Sequence, residues 1–275
     1  MKVKCGICPQ DCVLDEGQTG FCRARSAKDG AVVCDNYGLV TSMALDPIEK
    51  KPLRCFHPGS TILSVGSFGC NLRCAFCQNH EISMCSRERA RTVSMSPEEL
   101  VDKALSLRSS RNIGIAYTYN EPLIGYEFVR DCAVLAHQNG LTNVLVTNGY
   151  VNEAPLRELL PYIGAMNIDL KAFTEEFYRT LHGHIEPVKR TIAIAAAQCH
   201  VEVTTLIIPG QNDSSNEMRA LSEWLAGVDP GIPLHISRFF PRYIMADGDA
   251  TPVETIYALA DIARQSLVHV YMGNC

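Results

Sequence analysis

The run Gly69-Cys-Asn-Leu-Arg-Cys-Ala-Phe-Cys-Gln-Asn79 sets Cys70, Cys74 and Cys77 at Cys-x-x-x-Cys-x-x-Cys spacing, and nothing else constrains this chain as much. Three reactive thiols in one loop invite oxidation unless a metal group holds them. A cubane iron–sulfur cluster has four irons and, where it is purely structural, four cysteine ligands. Three thiolates leave one iron open to a small molecule. The competing readings are half of a zinc site, which takes four N or S ligands, and buried free thiols that pack as small hydrophobes. An open 4Fe-4S cluster is the expected occupant, with zinc as the alternative.

The chain carries thirteen cysteines, ten of them within the first 85 residues. Disulfides are disfavoured in a reducing compartment, so the cysteines are expected to serve metals. Cys5, Cys8 and Cys12 open the chain, and Cys22 follows a stretch with Gly17 and Gly20 that lets the backbone turn back on itself. Four cysteines can close a metal site completely, as zinc or as a second 4Fe-4S cluster. Such a closed site is structural or electron-relaying. A loose, reduced thiol arm is the alternative. Cys34, Cys55 and Cys85 are spare ligands, and Cys132 and Cys199 lie in helix-like apolar patterns as packing residues.

The length of 275 residues suits one large α/β domain and a small appendage. The expected division is a cysteine-rich metal-binding module over residues 1–58 and a barrel domain over 59–275. Net charge is −5, and the densest basic stretch, Arg87-Glu-Arg-Ala-Arg91, is interrupted by a glutamate, so nucleic acid is not an expected partner. No apolar run approaches membrane-spanning length, and Met1-Lys-Val-Lys-Cys5 does not begin a signal peptide. A cytoplasmic enzyme without membrane contact is expected.

From about residue 60, β-prone runs alternate with helical ones. The spacing predicts strands at Thr61–Val65, Ile113–Tyr117, Asn143–Thr147, Ala165–Leu170, Val201–Ile208 and Leu234–Phe239. It predicts helices at Pro97–Leu107, Ile124–Gln138, Ala154–Tyr162, Pro187–Gln198, Ser215–Ala226 and Pro252–Gln265. Six β-α repeats imply a parallel sheet with right-handed crossovers, and eight are needed to close a barrel. The expected fold class is therefore α/β, a partial (β/α)6 TIM-type barrel with the small cysteine-rich module at its N-terminus. Polar or turn segments follow each strand: the Cys70–Cys77 loop, Thr118-Tyr-Asn-Glu-Pro122, Thr147-Asn-Gly-Tyr150, Asp169-Leu-Lys171, Pro209-Gly-Gln-Asn-Asp213 and Arg238-Phe-Phe-Pro-Arg-Tyr243. The C-terminal rim of such a barrel carries the active site.

Together these residues resemble the radical S-adenosylmethionine (SAM) enzymes over roughly residues 60–245, and within them the pyruvate formate-lyase activating enzymes. The arm Cys5–Cys22, the Thr118–Pro122 run and Asp169-Leu-Lys-Ala172 further resemble the radical SAM enzymes of the AmmeMemoRadiSam system. The resemblance implies that Cys70, Cys74 and Cys77 hold a 4Fe-4S cluster whose open iron is chelated by SAM. It implies that Phe76 lies beside the adenine and that Asn120 and Glu121 hold the SAM ammonium. Thr147 and Asn148 would approach the methionyl or ribose part, Asp169 and Lys171 the carboxylate and ribose, and Ile208 would wall the adenine. An electron donor of flavodoxin or ferredoxin type is implied, as is a small-molecule or protein substrate, with a glycyl radical partner as one version. Two departures stand out. Val146 occupies a position where activating enzymes often have an aspartate for a cation, and the chain stops at Met272-Gly-Asn-Cys275 where the subgroup continues to another cysteine pair.

Two other classes compete: an iron–sulfur electron-transfer or redox-sensing protein with two closed clusters, and a zinc-stabilised scaffold. Neither needs the polar residues at the rim. His57, His80, His137, His182, His184 and His200 lack ligand spacing, whereas His235, on the sixth expected strand, is expected to face the barrel interior.

Overall fold

The computed structural model describes residues 2–275. Its centre is an eight-stranded sheet in which seven strands run parallel: Thr61–Gly66, Asn112–Tyr117, Thr142–Thr147, Ala165–Asp169, His200–Ile207, Leu234–Arg238 and Val270–Gly273, side by side in chain order. The eighth, Ser42–Pro47, pairs antiparallel with Thr61–Gly66 and forms the other edge. The fold is the expected α/β partial barrel, with two edge strands beyond the six anticipated. The strand Ser42–Pro47, on the N-terminal side of the expected boundary at 58, is thus hydrogen-bonded into the large sheet.

Local sequence explains why the elements begin and end where they do. Ser96 caps the helix Pro97–Ser106 by accepting from the Glu99 amide, while the Glu99 carboxylate accepts from the Ser96 amide. Proline stands at the first helical position, where its missing N–H is no loss. The helices Tyr126–Gln138, Glu153–Leu159, Ile185–Ala196, Ser215–Val228 and Val253–Ala263 each match an expected one within a few residues. A short helix at Glu175–Thr180 has no counterpart in the sequence reading, since six residues are too few to establish a period. The helices bury one apolar stripe on the outer face of the sheet, where Leu100, Cys132, Leu145, Ile168, Ile192, Leu221 and Leu259 belong to one continuous core.

A second, smaller core fills the concave face. Ile48 and Leu53, from the segment that follows the antiparallel edge strand, pack on Ile62, Ala116, Val144 and Ala165 from four neighbouring strands. This segment plugs the N-terminal end of the barrel. Polar groups bolt it in place: the carboxylate of Glu202 is fully buried and accepts from the backbone amides of Arg54 and Cys55 at 2.9 and 2.8 Å. Glu202 also meets His235 Nε2 at 2.6 Å and His200 Nε2 at 2.9 Å. His235 does face the interior, but it serves the plug at the floor and not the rim. Cys55 Sγ lies 3.3 Å from Tyr271 Oη, spanning the gap towards the far edge strand.

Burial alone would raise the Glu202 carboxyl, but its two histidines and two amides outweigh that and hold it at about 2. The folded value lies below the ordinary 4.5, so the stabilisation is complete above that pH and is lost as pH falls towards 2. Glu202→Gln is expected to destabilise the protein by roughly 2 kcal/mol at pH 7, with the difference shrinking below pH ~4. Urea denaturation of both proteins at pH 7 and pH 3 measures this, and equal midpoints at pH 7 would refute it.

Among the described residues, no helix is long and apolar enough to cross a membrane.

Candidate active site

The loop that follows the first parallel strand carries Cys70, Cys74 and Cys77, and it is held from three sides. Asn120, from the loop after the next strand, accepts from the Ser67 amide at 2.9 Å and donates to the Gly69 carbonyl at 3.0 Å. Asn71 donates to the Tyr150 carbonyl at 2.7 Å and accepts from Asn148 Nδ2 at 2.9 Å. Arg73 donates to the Cys70 carbonyl at 2.9 Å, reaches the Phe21 carbonyl, and lies over the Phe21 ring. The polar rim residues therefore fix the cysteine loop against the barrel before any ligand is considered.

The three cysteines open onto one cavity of about 310 Å3 at the C-terminal ends of the strands. Phe76, Asn120, Glu121, Thr147, Asn148, Asp169 and Lys171 line the same cavity. So do Thr118, Val146, Thr204, Leu206, Ser237 and Asn274. Ile208 does not: it is fully buried, its amide donating to Asn212 Oδ1 at 2.7 Å, and Leu206 supplies the apolar surface from that strand. Alternation alone would return Ile208 to the face of Leu206, but the strand ends at Ile207, and the hydrogen bond to Asn212 sets the backbone beyond it. The same alternation signals what the sequence reading passed over. In His200-Val-Glu-Val-Thr-Thr-Leu-Ile207, Glu202, Thr204 and Leu206 form one inward stripe. Asn274 was missed because the strand Val270–Gly273 that delivers it was not expected.

Within the cavity, Glu121 is turned inward to the protein. Its carboxylate accepts from Thr147 Oγ1 at 2.8 Å and from the amides of Asn148 and Leu123 at 2.7 and 3.0 Å. Burial pushes its carboxyl up to about 7 in spite of these three donors. It ties two rim loops together. Lys171 Nζ lies 2.9 Å from Asp169 Oδ2. Burial would lower the Lys171 ammonium, but the Asp169 carboxylate and the Cys74 sulfur outweigh it and hold the group charged. Burial pushes the Cys74 thiol up to about 11 against the pull of Lys171. A buried thiolate here requires a cationic partner, which iron provides. Three thiols opening together onto a roomy cavity, with no fourth thiol among the described residues lining it, fit a cluster that keeps one iron open. Val146 contributes apolar surface to the cavity wall.

A second cavity, of about 610 Å3, adjoins the first and shares Phe76 with it. Phe177, Thr174, Gln211 and Met245 line it, with the Phe76 and Phe177 rings 6.2 Å apart. The exposed loop at 240–249 crosses nearby, with the Ile244 amide on the Ala75 carbonyl at 3.1 Å and Tyr243 stacked on His80.

The arrangement defines a class: an α/β partial barrel with a three-cysteine loop at its catalytic rim. The radical SAM superfamily model matches residues 64–221, and the chain belongs to that superfamily. It is a radical SAM enzyme related to the pyruvate formate-lyase activating enzymes, and the superfamily implies a 4Fe-4S cluster and SAM. An uncharacterized protein of Methanocaldococcus jannaschii is 40% identical over 99% of this chain and 81% of its own length. The pyruvate formate-lyase 1-activating enzyme of Escherichia coli is 25% identical over 57% of this chain and 65% of its own. Among solved structures, a domain of the pyruvate-formate lyase-activating enzyme from Bacteroides vulgatus aligns with TM-score 0.51 at 20% identity, covering 58% of this chain and 99% of that one. QueE from Escherichia coli aligns with TM-score 0.54 at 15% identity, covering 86% and 93%. These two likenesses concern the fold.

Proposed function

We propose that the chain binds SAM in the rim cavity and abstracts hydrogen from a small-molecule or protein substrate seated in the adjoining one. The reading rests on one observation above all: three cysteines and seven of the eight expected SAM-site residues converge on a single cavity. Cys70, Cys74 and Cys77 would hold the 4Fe-4S cluster. When bound, cluster and SAM supply one-electron cleavage of the sulfonium and a 5′-deoxyadenosyl radical. The residues of the chain supply position and exclude water. Lys171, kept charged by Asp169, suits the SAM carboxylate, and the carbonyls of the Asn120–Glu121 turn suit its ammonium. Phe76 and Leu206 offer apolar surface to the adenine. Glu121 acts as a positioning residue by holding Thr147 and Asn148 in register.

A one-electron donor of flavodoxin or ferredoxin type, in a reducing cytoplasmic setting, completes the reading. The cysteine arm and the rim motifs support placement beside the AmmeMemoRadiSam radical enzymes. A second metal group, a 4Fe-4S cluster or zinc, would belong to Cys5, Cys8, Cys12 and Cys22. The size of the second cavity favours the version in which a loop of a partner protein is activated to a glycyl radical.

Anaerobically reconstituted protein given SAM and a strong reductant is expected to form 5′-deoxyadenosine, and Asp169→Asn to weaken SAM binding tenfold or more (~1.4 kcal/mol). An electron-transfer protein with closed clusters would form no product and would be indifferent to Asp169→Asn.

A further inference from the structure

We propose that Tyr119 is a positioning residue of the rim: latched to Asp46, it fixes the strained turn that presents the Asn120–Glu121 backbone to the SAM ammonium. The inference deepens the function proposed above and rests on it. Through this latch the edge strand and the plug reach into cofactor binding.

Tyr119 has φ +71°, in the left-handed region that a bulky aromatic residue rarely adopts. The Asn120 amide donates to the Thr118 carbonyl at 3.1 Å, so Tyr119 is the centre of a γ-turn of the rare, positive-φ kind. Glycine would adopt this conformation freely, whereas a tyrosine keeps it only where its surroundings over-determine it. They hold it at three points. Asn79 Nδ2, two residues past Cys77, donates to the Tyr119 carbonyl at 2.7 Å. Tyr119 Oη donates to Asp46 Oδ2 at 2.9 Å. Lys51 Nζ stands 4.8 Å from the centre of the Tyr119 ring. The ring lies across the end of the first parallel strand, where Gly66 leaves it room: a Cβ on Gly66 would stand 2.8 Å from Tyr119 Cδ2. Gly66 is not itself in the left-handed region, so its missing side chain serves the ring and not its own backbone.

The latch is built from charge. Lys51 is 4% exposed, and its ammonium lies 2.8 Å from the Asp46 carboxylate, its counter-charge. Burial would raise the Asp46 carboxyl, but Lys51 and the Tyr119 phenol outweigh it and keep the group below its ordinary range. The phenol therefore donates to a carboxylate, which makes a stronger hydrogen bond than a neutral acceptor does. Tyr119 lines the SAM cavity beside Asn120 and Glu121, yet the chemistry proposed above leaves the three titratable groups unused. Without the phenol's hold, the γ-turn would relax towards an ordinary conformation and swing the peptide that leads into Asn120. That residue also clamps Ser67 and Gly69 at the start of the cysteine loop. The latch thus acts on the cofactor through the backbone that receives it.

Titrating the anaerobically reconstituted protein with SAM, and following the change in the electron paramagnetic resonance of the reduced cluster, tests this. Tyr119→Phe keeps the ring and removes only the latch. It should keep its iron and melt close to the wild type, yet bind SAM about tenfold more weakly. At saturating SAM its kcat for 5′-deoxyadenosine formation should stay within about twofold of the wild type, so that the loss falls on KM. Gly66→Ala should weaken SAM binding too, by crowding the ring, and should lose most of that effect when Tyr119→Gly takes the ring away. A Tyr119→Phe protein that binds SAM like the wild type, or that weakens only in step with lost iron, overturns the inference. So does a lowered kcat with KM unchanged, and so does a Gly66→Ala effect that persists without the ring. A wild type that binds no SAM sinks the proposed function and the latch with it, whereas SAM binding that is strong and indifferent to Tyr119→Phe sinks the latch alone.

Discussion

Cys74→Ala should reduce 5′-deoxyadenosine formation to background, a loss on the order of a thousandfold or more. Cys74 is 7% exposed, so alanine removes a thiolate without opening the site to bulk water. Two thiolates cannot retain a cubane that already leaves one iron open, and the iron content should fall by about four. The lost charge also leaves Lys171 with one anion fewer beside it. Cys275→Ala, at an exposed position, is the matched control and should keep full product. Full product from Cys74→Ala would remove the rim loop from the chemistry altogether. A Cys74→Ala protein that melts like the wild type but forms no product excludes misfolding as the cause.

Gly69→Ala carries a large expected loss of stability. Gly69 has φ +86°, a conformation that strains any L side chain. A Cβ there would stand 2.5 Å from the Cys22 carbonyl oxygen and 3.0 Å from both Ala24 Cβ and Ile124 Cδ1. The nearest of these is backbone, so no rotamer change relieves the overlap. The expected destabilisation is about 3 kcal/mol or more, with iron lost from the rim loop, because the substitution pushes that loop away from the Cys22 segment against which it packs. Gly59→Ala separates the two contributions. It has nearly the same φ, +79°, but nothing within 4 Å of the added atom, and should lose only about 1 kcal/mol. Equal denaturation midpoints for the two variants would show that the close approach of Cys22 and Gly69 is unimportant.

Most of the parallel sheet was legible because β-branched runs and capped helices alternate at regular spacing, as at Ser96–Glu99. The rim was legible because cysteine and polar residues cluster at strand ends. Three things were not. Ser42–Pro47 reads as Ser-Met-Ala-Leu-Asp-Pro, with a β-poor composition, and becomes a strand only because Thr61–Gly66 offers it an edge. The resemblance made Ile208 an adenine wall, but the strand stops one residue short of it and its backbone is fixed by the Asn212 side chain in the following turn. The work of Glu121 and His235 was equally hidden. The sequence placed Glu121 in a turn at the rim and His235 on an inward strand, but not their partners: one side chain is engaged with Thr147 and Asn148, the other with Glu202.

The plug made by Ile48 and Leu53 governs traffic as well as stability. With the floor of the barrel packed and bolted by Glu202, no passage runs through the N-terminal end, and the cavity is a dead end on that side. In the function proposed above, whatever is spent in the cavity would have to clear the side from which the next molecule arrives, so departure would set the pace of turnover.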